Sequence, residues 1–226
     1  MGLLSEPEVI RFRHDHYHLL MRLLAGEPDA QLVATLQEAL PERSAAAGQV
    51  HELMGEGWRR MAEHLNGNAR EALADEFTRV FLGPVGDLVH PYESFYLTGR
   101  LYGEPLARVR AFARRLGLEA NGTRSEPEDG LDFELGIMAQ LIARQEVGGD
   151  VDLAALLEPQ REFLAQHLLV WGAACAADLE SHPAAAFYRG VGTLLRGFLE
   201  VERDFFVQEG GLKVQSLAEA RGRYKG

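Results

Sequence analysis

An all-α bundle is the fold class this sequence predicts, and three observations predict it. Apolar residues recur at spacings of three and four along most of the chain, no strand-like alternation of useful length appears, and glycine or proline punctuates the periodic runs at short intervals. Ser5-Glu6-Pro7-Glu8 reads as a capping box with proline in the first turn, opening a helix that carries to Ala25 before Gly26. Asp29 to Leu40 reads as a shorter helix closed by Pro41. Ser44 to about Leu65 follows, with Val50, Leu53, Met54, Trp58, Met61 and Leu65 on one face and Asn66-Gly67-Asn68 as its stop. Leu73, Phe77, Val80 and Phe81 repeat the period before Gly83-Pro84.

An irregular stretch, Phe81 to Tyr96, comes next. Pro105 to Leu116 is then helical between Gly103 and Gly117, and Glu119 to Asp129 is polar and turn-rich. Leu131 to Val147 is a helix ended by Gly148-Gly149. From Asp152 to Leu179 the chain is helical with a break expected at Pro159, and Phe163, His167, Trp171, Cys175 and Leu179 line up at i+4. Pro183 is read as the start of the last long helix, whose face is Phe187, Val191, Leu194, Leu195, Phe198 and Leu199. The sum is one bundle domain, 1–209, of about eight or nine helices, with a hinge at 117–130 and a flexible polar tail at 210–226.

Composition narrows the function. With 46% hydrophobic and 25% charged residues the chain is globular, and no run reaches the length of a transmembrane helix, so no membrane insertion is expected. The net charge of −11, from 34 acidic against 23 basic residues, disfavours nucleic acid as a partner, because phosphate backbones are bound by clustered Lys and Arg. Cys175 is the single cysteine, lies in an apolar run and is read as a buried thiol, which fits a reducing compartment. The N-terminus MGLLSEPEVIRFRHDHYH lacks the uninterrupted apolar core of a secretory signal.

The enzyme-like candidate is His14-Asp15-His16-Tyr17-His18. His14 and His18 at i, i+4 share a helix face and could share a metal, which would make the chain a metal-dependent helical enzyme. A metal site needs further ligands, and no Glu-x-x-His occurs in the chain, so a solvated face is the favoured reading. Ser94 and Ser125 stand in no nucleophile motif, no phosphate loop is present, and His167 beside Trp171 reads as a packed histidine with one hydrogen bond. No catalytic set and no cofactor is expected.

Two irregular segments remain. Pro91-Tyr92-Glu93-Ser94-Phe95-Tyr96 holds aromatic rings on a proline-restricted backbone, and Ser125-Glu126-Pro127-Glu128-Asp129, with Asp132 and Glu134, sets carboxylates at the start of a helix, where the dipole favours them. Rings and carboxylates together suit a peptide that is apolar in one part and arginine-bearing in another.

At these residues the sequence resembles the TorD/DmsD/NarJ family of redox-enzyme maturation chaperones. Phe81-Leu82-Gly83-Pro84 with Pro91 to Tyr96, Glu126-Pro127-Glu128-Asp129-Gly130 through Met138, and His167 to Trp171 with Phe187-Tyr188 stand where that family carries its motifs. The resemblance implies a TorD-like helical fold and a cytoplasmic, non-enzymatic chaperone. Its partners would be the leader peptide, often twin-arginine, and the apo-form of a molybdopterin-containing oxidoreductase subunit, held until cofactor insertion and proofread before export. It places leader binding on Phe77, Phe81, Pro91, Tyr92, Ser94, Tyr96, Glu126, Pro127 and Asp129, and it implies a homodimer formed by helix exchange about the hinge. Gly130 and His90 depart from the family pattern, which has histidine and proline there.

Overall fold

The computed structural model describes residues 2–67, 69–83, 87–120, 125–147 and 152–224, with side chains described for these except 39–44. Eleven α-helices are found among them: α1 Pro7–Leu24, α2 Ala30–Val50, α3 Glu52–Ala62, α4 Ala69–Phe77, α5 Glu93–Thr98, α6 Glu104–Arg115, α7 Leu131–Val147, α8 Leu153–Phe163, α9 Leu169–Ser181, α10 Phe187–Gln208 and α11 Leu217–Gly222. Two π-helical turns, Thr78–Leu82 and Leu164–Leu168, extend α4 and join α8 to α9. Among the described residues there is no strand, and one antiparallel bridge pairs Tyr92 with Gly130. The all-α expectation holds, with more and shorter helices than the period alone resolves. No helix among the described residues is long and apolar enough to cross a membrane.

Several boundaries differ from the expected ones. α2 runs through Pro41, which removes one amide but leaves an alanine-rich run able to continue the helix. The break falls instead at His51, at φ −155 and ψ 132, whose N–H still reaches the Ala47 carbonyl at 2.9 Å. Ser5 does not cap α1; its hydroxyl donates to the Gly2 carbonyl at 2.6 Å, within a 3₁₀ turn. Pro159 sits inside α8 without ending it. Pro84, Asn68 and Gly148-Gly149, read as stops, lie outside the described residues, as do 121–124 of the expected hinge. In the 210–226 segment, expected to be flexible, α11 opens on a full capping box between Ser216 and Glu219.

The chain forms two compact units, one from residues 1–21, 91–171 and 202–226, the other from 22–90 and 172–201. In the first, Leu131, Leu135, Met138 and Ile142 line one face of α7 and are buried, as are Val109 and Phe112 of α6 and Phe163, Leu164 and Leu168. A buried ion pair ties α1 to the end of α10: Arg13 donates from Nε and Nη2 to Glu202 at 2.7 and 2.8 Å, and the Tyr17 hydroxyl donates to the same carboxylate at 2.7 Å. Such a pair is weak as net stabilisation, but either partner left alone would be a bare charge in the core.

In the second unit, α3 meets α10 backbone to backbone. A Cβ on Gly57 would stand 2.5 Å from the Leu194 nitrogen, and one on Gly190 would stand 2.8 Å from the Met61 nitrogen. Trp58 and Met61 fill the space beside this contact and are buried. α10 begins at Phe187 rather than at Pro183 because its first amides find an acceptor there. Glu76, buried on α4, accepts from Ala186, Phe187 and Tyr188 at 2.8, 3.2 and 2.8 Å.

Gly57→Ala forces these two helices apart and is expected to lower unfolding free energy by about 1–3 kcal/mol in urea titration. Gly48→Ala is the control. A Cβ there meets only the Gly55 Cα at 3.6 Å, so helix propensity makes the change neutral or stabilising.

Candidate binding site

The site is built in the first unit, where the irregular stretch ends at α5. Tyr92 stands before this helix in extended conformation and gives it no side-chain cap. The cap comes from the second motif. Asp129 Oδ2 accepts from the Ser94 N–H at 2.8 Å, so a carboxylate remote in sequence meets an amide in the first turn of α5. The backbones pair alongside it: Glu93 N–H donates to the Asp129 carbonyl and Leu131 N–H to the Pro91 carbonyl, each at 2.8 Å. These bonds stitch the Pro91 block to the Glu126–Gly130 block, and Gly130 is buried in the junction.

Beneath the junction lies a water-excluded acid cluster. Glu93, Asp129 and Glu134 are each 0% exposed, His167 2% and Trp171 0%. His167 Nδ1 donates to Glu93 Oε2 at 2.7 Å, and Trp171 Nε1 donates to both oxygens of Glu134 at 3.1 and 3.3 Å. Burial, then the adjacent Glu93 charge and a hydrogen bond with Glu93, hold the Glu134 carboxyl well above the usual glutamate range. The neutral form of Glu134 is thus favoured beside Glu93. Burial also raises the Asp129 carboxyl, against the hydrogen bonds from Ser94, which favour its charge. Glu93 Oε1 and Asp129 Oδ1 are buried without a hydrogen-bond partner.

The π turn Leu164–Leu168 brings His167 to this cluster. A strict i+4 stripe drifts about 40° per step around an α-helix, and one widened turn absorbs that drift. It keeps Phe163 and His167 on one face, with rings stacked at 5.0 Å, and Trp171 buried beyond them. Tyr96 packs on Trp171 at 5.3 Å.

The surface above the cluster is aromatic and acidic. Tyr92 is half-buried and its hydroxyl donates to the exposed Glu126 carboxylate at 2.7 Å. Ser94 Oγ accepts from the Tyr102 N–H at 3.0 Å. Tyr102 has φ 72, rare for a residue with a side chain, between Gly99 at φ 73 and Gly103 at φ 87. Tyr102 is 59% exposed.

The predicted residues thus divide. Pro91, Tyr92 and Glu126 reach solvent, whereas Ser94, Tyr96, Pro127 and Asp129 are buried and hold the junction together. Phe77 and Phe81 belong to the second unit, 6% and 9% exposed, where both rings pack on Tyr188 at 5.8 and 5.2 Å. Glu128, expected to be open to a cationic partner, is paired with Arg110 at 2.6 Å. Glu134 is not a solvated charge at a helix start but a buried acid whose charged form is disfavoured.

Sequence reasoning left Glu93, Trp171 and Tyr102 out of this site and read Glu134 as a solvated helix-start carboxylate rather than a buried acid. Glu134 had a signal, since it falls on the apolar stripe of α7, and Tyr102 had another in its bracketing glycines. Of the three histidines in the candidate metal cluster, His14 and His18 stack at 6.1 Å, while His16 is buried with Nδ1 2.8 Å from the Phe12 carbonyl. Among the described residues no group of three His, Cys, Asp or Glu side chains is arranged to hold a metal.

Fold and site define an all-helical protein built on a buried acid cluster beneath an aromatic, acidic surface. The family model described as nitrate reductase delta subunit matches residues 27–177. The chaperone protein TorD of Vibrio cholerae serotype O1 (strain O395) is 28% identical over 182 residues, covering 78% of this chain and 81% of that one. TorD of Actinobacillus pleuropneumoniae serotype 7 is 29% identical over 205 residues, covering 88% and 96%. A crystal structure described as that of a redox enzyme maturation protein from Archaeoglobus fulgidus superposes with a TM-score of 0.50 at 22% identity, covering 83% of this chain and 93% of that one. The chain belongs to the nitrate reductase delta subunit family, the TorD/DmsD/NarJ group whose motifs it carries.

A raised glutamate makes the folded state hold a proton that the unfolded chain releases above about pH 4.5. The stability this proton contributes is fully present below that pH and is lost as pH rises towards the folded value, with a slope of at most about 1.4 kcal/mol per pH unit. Glu134→Gln keeps a donor but cannot titrate. The stability difference between wild type and variant, followed by urea unfolding from pH 4.5 to 7, is expected to shift in the variant's favour as pH rises. A constant difference contradicts the assignment.

Proposed function

We propose that this chain is a maturation chaperone for a molybdenum- or tungsten-containing oxidoreductase, and that it binds the N-terminal leader of the catalytic subunit. Membership of the family and relatives named as chaperones support the general role. The observation that carries the finer reading is the Tyr92–Glu126 pair, a ring and a carboxylate on the surface, locked from below by Asp129, Ser94 and the acid cluster.

A leader peptide is disordered in water and pays about 2–5 kcal/mol to order on binding, offset by burial of its apolar segment. Tyr92 and Pro91 offer that segment rigid apolar area. Glu126 would meet the leader arginines, where charge-assisted bonds add selectivity and salt sensitivity. Ser94, Tyr96, Pro127 and Asp129 act as positioning residues for this surface, and Phe77 and Phe81, buried against Tyr188, pack within the second unit. Binding in the cytoplasm would hold the apo-subunit until its cofactor is inserted and delay its export until then.

Calorimetric titration with twin-arginine leader peptides of molybdenum oxidoreductases tests this. Tyr92→Ala is expected to weaken binding by about tenfold, or about 1.4 kcal/mol. Asp129→Asn, which retains an oxygen acceptor for the Ser94 amide, is expected to weaken it less. No binding by the wild type, or equal affinity in wild type and Tyr92→Ala, removes this surface from the proposal.

A further inference from the structure

A second site of opposite sign lies in the same unit. A cavity of about 400 Å³ opens between α5, α6, the π turn before α9, and α11 with the segment leading into it. Its lining includes three cations, Arg108, Lys213 and Arg223, and no carboxylate. In a chain with 34 acidic and 23 basic residues that local balance is inverted.

These cations are also uncompensated. Elsewhere in the unit, Arg13, Arg110, Arg114, Arg115 and Arg161 each hold a carboxylate. By contrast, Arg108 donates to the neutral Tyr224 hydroxyl at 3.3 Å and Arg223 to the side-chain oxygen of Gln215, while Lys213 has no partner among the described residues. Neutral acceptors orient the two guanidinium groups without cancelling their charge, which is the state of a site prepared for an anion.

The floor restricts which anion fits. Leu97, Val170 and Ala220 are 4%, 7% and 4% exposed and form one small apolar cluster. An apolar group can settle there while charged groups around it reach the cations. The first amides of α11 are not free to cradle a phosphate. Ser216 and Glu219 cap that end reciprocally, and the Ser216 hydrogen bonds hold the Glu219 carboxyl below its usual range, so it stays charged. Recognition therefore rests on separated side-chain cations and on the amide of Gln166, a donor and acceptor suited to a peptide backbone.

We infer that this cavity binds an acidic peptide segment of a partner protein, one with at least two carboxylates flanking an apolar residue. The site is independent of the leader surface, whose exposed acid selects the opposite charge. A chaperone with both would grip two chemically different segments, and the second grip adds effective concentration to the first.

Fluorescence anisotropy with labelled Asp-Glu-Leu-Glu-Asp, blocked at both ends, tests the inference on the full chain at low salt. The wild type is expected to bind it, to bind the Asn-Gln-Leu-Gln-Asn counterpart at least tenfold more weakly, and to lose affinity as salt rises. The double variant Lys213→Glu/Arg223→Glu, both exposed positions, is expected to lose at least tenfold for the acidic peptide with circular dichroism unchanged. Absence of wild-type binding, or equal binding by the charge-reversed variant, overturns the inference. So does displacement of the peptide by inorganic phosphate at equimolar concentration, which would make the cavity a phosphate site.

Discussion

Three carboxyl groups share a space that excludes water, and they cannot all be charged there. Glu93, Asp129 and Glu134 ease that conflict because burial and the neighbouring Glu93 favour the neutral form of Glu134, while Glu93 accepts from His167. The bonds that each member does make depend on the others being in place, although Glu93 Oε1 and Asp129 Oδ1 stay without a partner. Remove the proton and two like charges face each other without solvent; remove the cluster and Asp129 has no reason to stay buried against Ser94. The join between the Pro91 and Glu126 blocks, and so the surface above it, depends on this arrangement.

That dependence changes what the motif residues do. Asp129 and Ser94 invite a reading as contacts for a ligand because polar residues in loops often are. Here they are buried, and their work is internal: Asp129 caps α5, and the Ser94 hydroxyl receives the amide of the strained Tyr102. Exposed chemistry is left to Tyr92, Glu126 and the Leu101–Tyr102 tip. Surface rigidity on a six-residue helix therefore comes from long-range bonds, since so short a helix has little stability of its own.

Much of the fold was legible because local signals agreed with tertiary ones. The extents of α6 and α7 follow from their period and from glycine punctuation, and the i+4 line from Phe163 to Leu179 is buried throughout. Signals failed where a single residue was trusted over its surroundings, at Pro41 inside α2 and at Pro183 before α10. In the latter case the deciding partner, Glu76, lies on another helix and leaves no mark nearby. The site was half legible. Both motif blocks were visible as segments, but their pairing through Tyr92 and Gly130 is a tertiary fact, and buried carboxylates contradict the expectation that Glu lies outside unless paired. The π turn that delivers His167 has no sequence signature that periodicity could find.

Native-state amide hydrogen exchange tests the central claim most directly. If the acid cluster clamps the two blocks, the amides of Glu93, Ser94 and Leu131 exchange only when their unit unfolds as a whole, as slowly as amides in the middle of α7. Exchange of these three at the rate of amides in the exposed 99–103 turn would contradict it, because the junction would then open without unfolding and the cluster beneath would hold nothing in place.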